Sequence, residues 1–156
     1  MKRKTKGRRV LAFIVSIAMA MGMFSSTAFA VTSVSASNDI IYLGGNGADD
    51  SNNGTEGAPV ATLEKALELA GEGGQIILAG NVSSDTAITV DKTVVLDLNG
   101  NTLTKTGRAI TATASMTVQD SKTNGKIAGT SNPVVNIASG GTLILNSGTI
   151  EANRCV

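Results

Sequence analysis

Three apolar positions recur along this chain in the same order and at nearly constant spacing. They are Ile88, Leu96 and Leu103, then Ile110, Val118 and Ile127, then Val135, Leu143 and Ile150. The gap from first to second is 8 residues in every set, the gap from second to third is 7, 9 and 7, and sets follow one another at 22 to 25 residues. Each anchor sits in a short run of Val, Ile, Leu and Thr. The turns Asn99-Gly100-Asn101, Thr123-Asn124-Gly125 and Ser147-Gly148 precede the third anchors. A period of this length with three short strands per repeat specifies a solenoid whose circuits have three sides. Strand alternation then turns Leu96 with Leu98, and Leu143 with Leu145, to the inside. One circuit cannot bury such side chains against itself. Stacked circuits can, with each strand paired in parallel to its copies above and below, and each buried Leu or Ile contributes about 1.5–3 kcal/mol. Spacing alone does not fix strand direction, so an antiparallel sandwich with regular turns is the competing architecture.

Ahead of the repeats lies one amphipathic helix, Thr62 to Ala70 (TLEKALELA). Thr62 is suited to be its N-cap, and Glu64 falls early in its first turn. Leu63, Ala66, Leu67 and Ala70 form a single stripe at i, i+3, i+4 and i+7, and Gly71 follows as a stop. A helix of nine residues is marginal alone and must lie on something apolar. Solenoid ends need covering, so this helix is expected to cap the first circuit. Before it, Asp39 to Leu43 reads as a first strand, and Gly44 to Pro59, dense in Gly, Asn and Asp, reads as a loop. The other end shows no such cap. The chain stops just after the strand-like Thr149-Ile150-Glu151. The expectation is a truncated chain or a stack completed by another molecule.

The first 30 residues read as a secretory signal peptide. Lys2, Arg3, Lys4, Lys6, Arg8 and Arg9 form a basic start, Val10 to Phe24 is an uncharged apolar run, and Ala28-Phe29-Ala30 is an A-x-A cleavage pattern. The apolar run of 15 residues is short for a membrane span, which needs about 20. Membrane contact is therefore expected only through this segment, before cleavage. The expected organisation is a signal peptide (1–30), a flexible leader (31–38), an N-terminal strand, loop and capping helix (39–74) and β-helix circuits (75–156). Processing changes the charge balance. The mature part holds 7 basic and 12 acidic residues, a formal charge of −5, which gives no reason to expect a nucleic-acid partner. Histidine is absent, so histidine acid–base or metal chemistry is excluded within the chain. Cys155 is the only cysteine, so no internal disulfide forms, although it offers a link to a partner outside the cell. Tyr42 is the only aromatic residue of the mature part.

Ile41-Tyr42-Leu43, the GADDSNNGTEGAP loop, Ala61-Thr62-Leu63-Glu64-Lys65-Ala66-Leu67 and Gly74-Gln75-Ile76-Ile77-Leu78 resemble the opening of right-handed parallel β-helix proteins, the pectate-lyase-like superfamily. Val94 to Gly100 and Gly141 to Ile150 are similar to repeat units of large surface proteins of Gram-positive bacteria. The resemblance spans residues 40–151. It implies an all-β fold, a right-handed parallel β-helix (three-sided solenoid) with a short N-terminal capping α-helix. That scaffold carries lyases, hydrolases, epimerases, adhesins and phage spikes, so it does not by itself fix a function.

Candidate chemistry is sparse. Asp49, Asp50, Asn52 and Asn53 offer oxygen ligands suited to calcium, but their spacing departs from an EF-hand. In such a loop Asp and Asn also cap backbone groups, and that reading is preferred. The resemblance implies, for a lyase, several acidic calcium ligands on one outer face with an arginine or lysine as base. Glycoside hydrolysis needs two carboxylates at a set separation. Asp97 and Asp120 lie in neighbouring repeats, with Lys92, Lys105, Arg108, Lys122 and Lys126 as cations. Asp97 follows inward Leu96 and is expected outside and exposed, whereas Asp120 has the opposite parity, so the acids do not cluster. Asn99, Asn101, Asn124 and Asn146 occupy turns and are expected to bond along the stack. No catalytic, cofactor or metal-ligating residue is assigned. The expected function is a secreted or cell-surface module, adhesin-like or structural, that presents an elongated face to extracellular polysaccharide or to host or cell-surface protein. The alternative is the N-terminal part of a polysaccharide lyase or glycoside hydrolase whose site lies beyond residue 156.

Overall fold

The computed structural model of the chain describes residues 39–130 and 133–152. The expected signal peptide, the leader and Cys155 lie outside the described residues. Within them, twelve strands and one helix follow the repeat. The first strand is β1 (Ile40–Leu43), followed by helix α1 (Leu63–Leu69). Three full circuits come next: β2 (Gly74–Leu78), β3 (Val82–Ser84) and β4 (Ile88–Val90); β5 (Val94–Asp97), β6 (Thr102–Lys105) and β7 (Ile110–Ala112); β8 (Ser115–Gln119), β9 (Lys126–Gly129) and β10 (Val135–Ile137). A fourth begins with β11 (Thr142–Leu145) and β12 (Thr149–Ala152). The strands stack into three sheets, β1-β2-β5-β8-β11, β3-β6-β9-β12 and β4-β7-β10, and every neighbouring pair is parallel. The architecture is an all-β parallel β-helix, a three-sided solenoid, and the antiparallel sandwich is ruled out.

The alternation read from the sequence builds the core. In β2 and β8 every second residue is buried. Inward residues form rows along the stack, among them Ile88, Ile110 and Val135, and Val82, Leu103, Ile127 and Ile150. Leu103, Ile110 and Ile127 have no exposed surface because paired strands lie on both sides of them along the stack.

One expectation about register needs correction. The anchor spacing aligns Leu143 with Val118, but the structure pairs Leu145 with Val118 and Leu143 with Met116. Leu143 and Leu145 share a parity, so a shift by two keeps both inward, and the turn absorbs the difference. Ile76 pairs with Leu96 and Val82 with Leu103, which makes β2 and β3 the first two sides of the first circuit.

Helix α1 forms as its sequence dictates. Thr62 is the N-cap, in extended backbone, and its Oγ1 accepts the Lys65 N–H at 3.2 Å. Leu63, Ala66 and Leu67 are buried, and the helix packs on β1 and β4. It has no basic residue in its last turn. Lys92, from the turn after β4, supplies that charge by donating to the carbonyls of Leu67 (2.9 Å) and Ala70 (3.2 Å). The outer edge of β1 is covered as well. The Tyr42 N–H donates to Gly54 O, the Gly44 N–H donates to Val60 O, and the Val60 N–H donates to Tyr42 O. The first end of the prism is thus closed by helix and loop together.

Candidate functional site

Of the polar residues singled out from the sequence, Asp97, Asp120 and the turn asparagines share one corner of the prism, between the first and second sheets. There the chain turns after β5, after β8 and after β11, so three turns lie above one another. Asp97 sits at the head of the first. Its Oδ1 accepts the N–H of Asn99 (2.9 Å) and of Ser121 in the next turn (3.0 Å), and its Oδ2 accepts from the Gln119 side-chain amide (3.0 Å). Asp120 reaches the other way. Its Oδ1 accepts the Gly100 N–H of the turn before (2.7 Å), and its Oδ2 accepts the Gly125 N–H of its own turn (2.8 Å). The Asp120 N–H donates to Ser147 Oγ in the third turn at 2.7 Å. The two carboxylates therefore tie consecutive circuits together through backbone donors that a turn leaves unpaired.

This corner overturns one expectation. Asp97 has the outward parity read from the sequence but is only 3 % exposed, because the Asn99–Asn101 turn, Gln119 and Ser121 fold over it. Burial alone would raise its pKa. The hydrogen bonds from the Ser121 N–H, the Gln119 amide, the Asn99 N–H and the Ser121 side chain outweigh burial and hold the carboxyl below the ordinary aspartate value. An ionised acid already saturated by fixed donors is a poor proton donor and a poor ligand for anything outside.

The asparagines divide. Asn99, in the left-handed region at φ 49°, and Asn101 both donate their side-chain amides to the Leu78 carbonyl one circuit below, at 2.9 and 3.0 Å. Asn124 also takes a positive φ, at 69°, but its amide reaches only Thr123 Oγ1 at 3.4 Å. Asn146 is exposed, and its backbone N–H donates to Val118 O. Bonding along the stack thus holds for the first turn. Glycine is required in the second, because a Cβ on Gly125 would lie 2.6 Å from the Asp120 carboxyl that its N–H must approach.

The Gly/Asn/Asp loop uses its acids in the same manner. Asp50 accepts from the N–H groups of Ala61 and Thr62 and from Thr62 Oγ1, at 2.9, 2.9 and 2.8 Å, and so orders the residue that caps α1. Asp49 accepts from the Ser51 N–H and hydroxyl, Asn53 Oδ1 from Thr55, and the Asn52 amide donates to Gly47 O and Pro59 O. These four residues cap their own loop. Among the described residues no group of three or more Cys, Asp or Glu side chains converges on a point.

The cations are dispersed. Lys126 pairs with Glu151 at 2.8 Å, Lys92 serves α1, and Arg108 and Lys122 are exposed and apart. Lys105 contradicts its reading as an outer-face base. It has no exposed surface and lies inside the prism, on the parity of Leu103, with Nζ donating to Ser84 Oγ (2.9 Å) and Thr86 O (2.6 Å). Burial lowers its pKa, against the raising influence of Glu64 and Asp85. Sequence reasoning also missed Gln119, Ser121 and Ser147, whose partners are 22, 24 and 27 residues away in the chain. The spacing of one circuit was the available signal. An open cleft between α1 and β4 is lined by Glu64, Glu68, Asp91 and Lys92 among others. No protein-family profile, curated protein or solved structure is matched by the chain.

Proposed function

We propose that this protein is a structural, non-catalytic module of an exported protein, which holds out the flat sides of its prism as contact surfaces. The observation that carries this reading is the use of its carboxylates. Asp49, Asp50, Asp97 and Asp120 all accept hydrogen bonds from the fold's own donors, and Asp97 is buried. Acid–base or calcium-assisted cleavage of a polysaccharide needs carboxyl groups free to meet the substrate. The outer row of the third sheet holds short polar side chains instead, Thr89, Thr111 and Asn136, and the second sheet begins its outer row with Ser83 and Thr104 before Ala128 and Glu151. Hydroxyl and amide groups at strand spacing, with no aromatic platform among them, suit repeated hydrogen bonding to extracellular polysaccharide or to an exposed protein surface. The sequence resemblance to pectate-lyase-like openings and to Gram-positive surface repeats supports the same placement outside the cell, as does the signal-peptide pattern of residues 1–30.

The test is to incubate the chain from residue 35 onward with a panel of acidic and neutral polysaccharides. Retention and turnover are both followed. Retention without turnover, weakened by Thr89→Ala with Thr111→Ala while the circular dichroism stays unchanged, is expected. Ultraviolet absorbance from an unsaturated product, or new reducing ends, would contradict the reading.

A further inference from the structure

Lys105 sits in an inward row otherwise made of small residues. Ser84 lies below it, and Gly129 and Ala152 lie above it. Its side chain leans toward the capped end, where Nζ donates to Ser84 Oγ and to the carbonyl of Thr86, in the turn from β3 to β4. Among the described residues it forms no direct ion pair. A buried cation with no carboxylate beside it is costly unless its charge is compensated by another route. Here the route is a line of hydroxyls. Ser84 Oγ lies 3.2 Å from Thr86 Oγ1, and the Thr86 hydroxyl donates to the Glu64 carboxylate in the first turn of α1. Ser84 accepts from the ammonium and Glu64 takes the Thr86 hydrogen, so the Ser84 hydroxyl donates to Thr86. Every donor in the line points from Lys105 toward the cap helix.

We propose that this line is a proton-operated latch: protonated Lys105 holds α1 shut through Ser84, Thr86 and Glu64, and loss of the proton loosens the helix while the circuits stay closed. Hydroxyls in series polarise one another, and the coupling between the two ends is reciprocal. Closing α1 brings Glu64 to the end of the line and favours the ammonium, so the ammonium favours the closed helix. Burial disfavours the charged form of Lys105, and Glu64 and Asp85 favour it. Glu64 comes from α1 and Asp85 from the turn between β3 and β4. From the side of β9 only Gly129 and Val134 close on this place, and neither titrates. Of the two acids, Glu64 alone moves with α1. Opening the helix removes that charge and leaves the turn over Nζ in place, so rising pH weakens the closed cap. Global unfolding instead releases Lys105 to water, which gives overall stability the opposite dependence. The latch lies at the capped end and uses none of the outer rows, so it stands or falls separately from the contact function.

The experiment follows rapid amide exchange in the compact unit Ser35–Val156, from neutral pH toward the ordinary lysine value. Protection factors, corrected for the chemical exchange rate at each pH, are compared between α1 and β6. In α1 they come from the Ala66 and Ala70 amides, which are bonded to Thr62 O and Ala66 O. The α1 factors are expected to fall about two- to threefold as pH rises, the scale of a screened charge pair, while those of β6 do not fall. Lys105→Met, Glu64→Gln and Thr86→Val are each expected to abolish the fall, whereas Asp85→Asn keeps it. Glu64 is half-buried and Thr86 exposed, so these two variants decide the matter even where Lys105→Met fails to fold. Protection in α1 that stays constant or rises, a fall shared by β6, or a fall that survives Glu64→Gln or Thr86→Val would overturn the proposal.

Discussion

The two ends of the prism are made of the same strand chemistry and differ only in what lies beyond them. At the first end, loop 54–60 covers the edge of β1 and α1 seals the interior, so that Leu63 is 2 % and Leu67 8 % exposed. At the other end no element follows β12 among the described residues, and Leu145 keeps 48 % of its surface. Yet Leu96, Val118 and Leu145 belong to one row, and the first two are 1 % and 0 % exposed. A leucine in a solenoid is buried by its neighbours along the stack, not by its own strand. Covering an end is therefore a separate task from building circuits, and here different residues carry it out.

The strongest way to break this contrast is to remove the same side chain at the middle and at the open end. Leu103→Ala should cost about 2–5 kcal/mol, because a closed core cannot fill the hole. Leu145→Ala should cost no more than about 0.5 kcal/mol. Urea unfolding measures both, and equal costs would abolish the distinction.

Next in size is the corner. Asp97→Asn should cost about 1–3 kcal/mol, since an amide cannot accept at both positions and leaves buried donors unpaired. The native carboxyl titrates below the ordinary aspartate range, so its contribution is complete above that range and disappears as pH falls through the lowered folded value. The Asp97→Asn variant has no such group to titrate at this position. Acidification should therefore destabilise the native protein more than the variant, and melting curves of both across acid pH should show the difference between them narrowing.

At the capped end, Thr62→Ala removes the acceptor for the Lys65 N–H and the donor to Asp50, and should cost about 1 kcal/mol. Amide exchange should quicken in α1 before it does in β5 to β9. The smallest effect concerns Lys105. Its folded pKa is lowered, so the unfolded chain holds the proton over a pH interval in which the native one has released it. Stability should rise with pH across that interval, toward the ordinary lysine value, and Lys105→Met should remove this rise.

Much of this architecture is legible in the chain. The circuit period, the inward parity and the capped helix all follow from apolar spacing, because spacing is what strands and helices convert directly into faces. What escapes reading depends on neighbours a circuit away. Parity alone sends Asp97 to solvent, and the Gln119 and Ser121 that cover it come from the next turn. Spacing cannot rank Leu143 against Leu145 as the partner of Val118, because both point inward and both are leucine. Lys105 reads as a surface cation by its charge, although Leu103, two residues earlier, already sets its direction. The corner as a whole is visible in sequence only as scattered turn residues, and stacking makes it a site.

Parallel stacking in this register is tested most directly by isotope-edited nuclear Overhauser contacts along one interior row. Contacts from Val82 to Leu103, from Leu103 to Ile127 and from Ile127 to Ile150 are expected, each between residues one circuit apart. Contacts instead between strands consecutive in sequence, such as β5 against β6 running in opposite directions, would contradict the solenoid and everything argued from its corner and its ends.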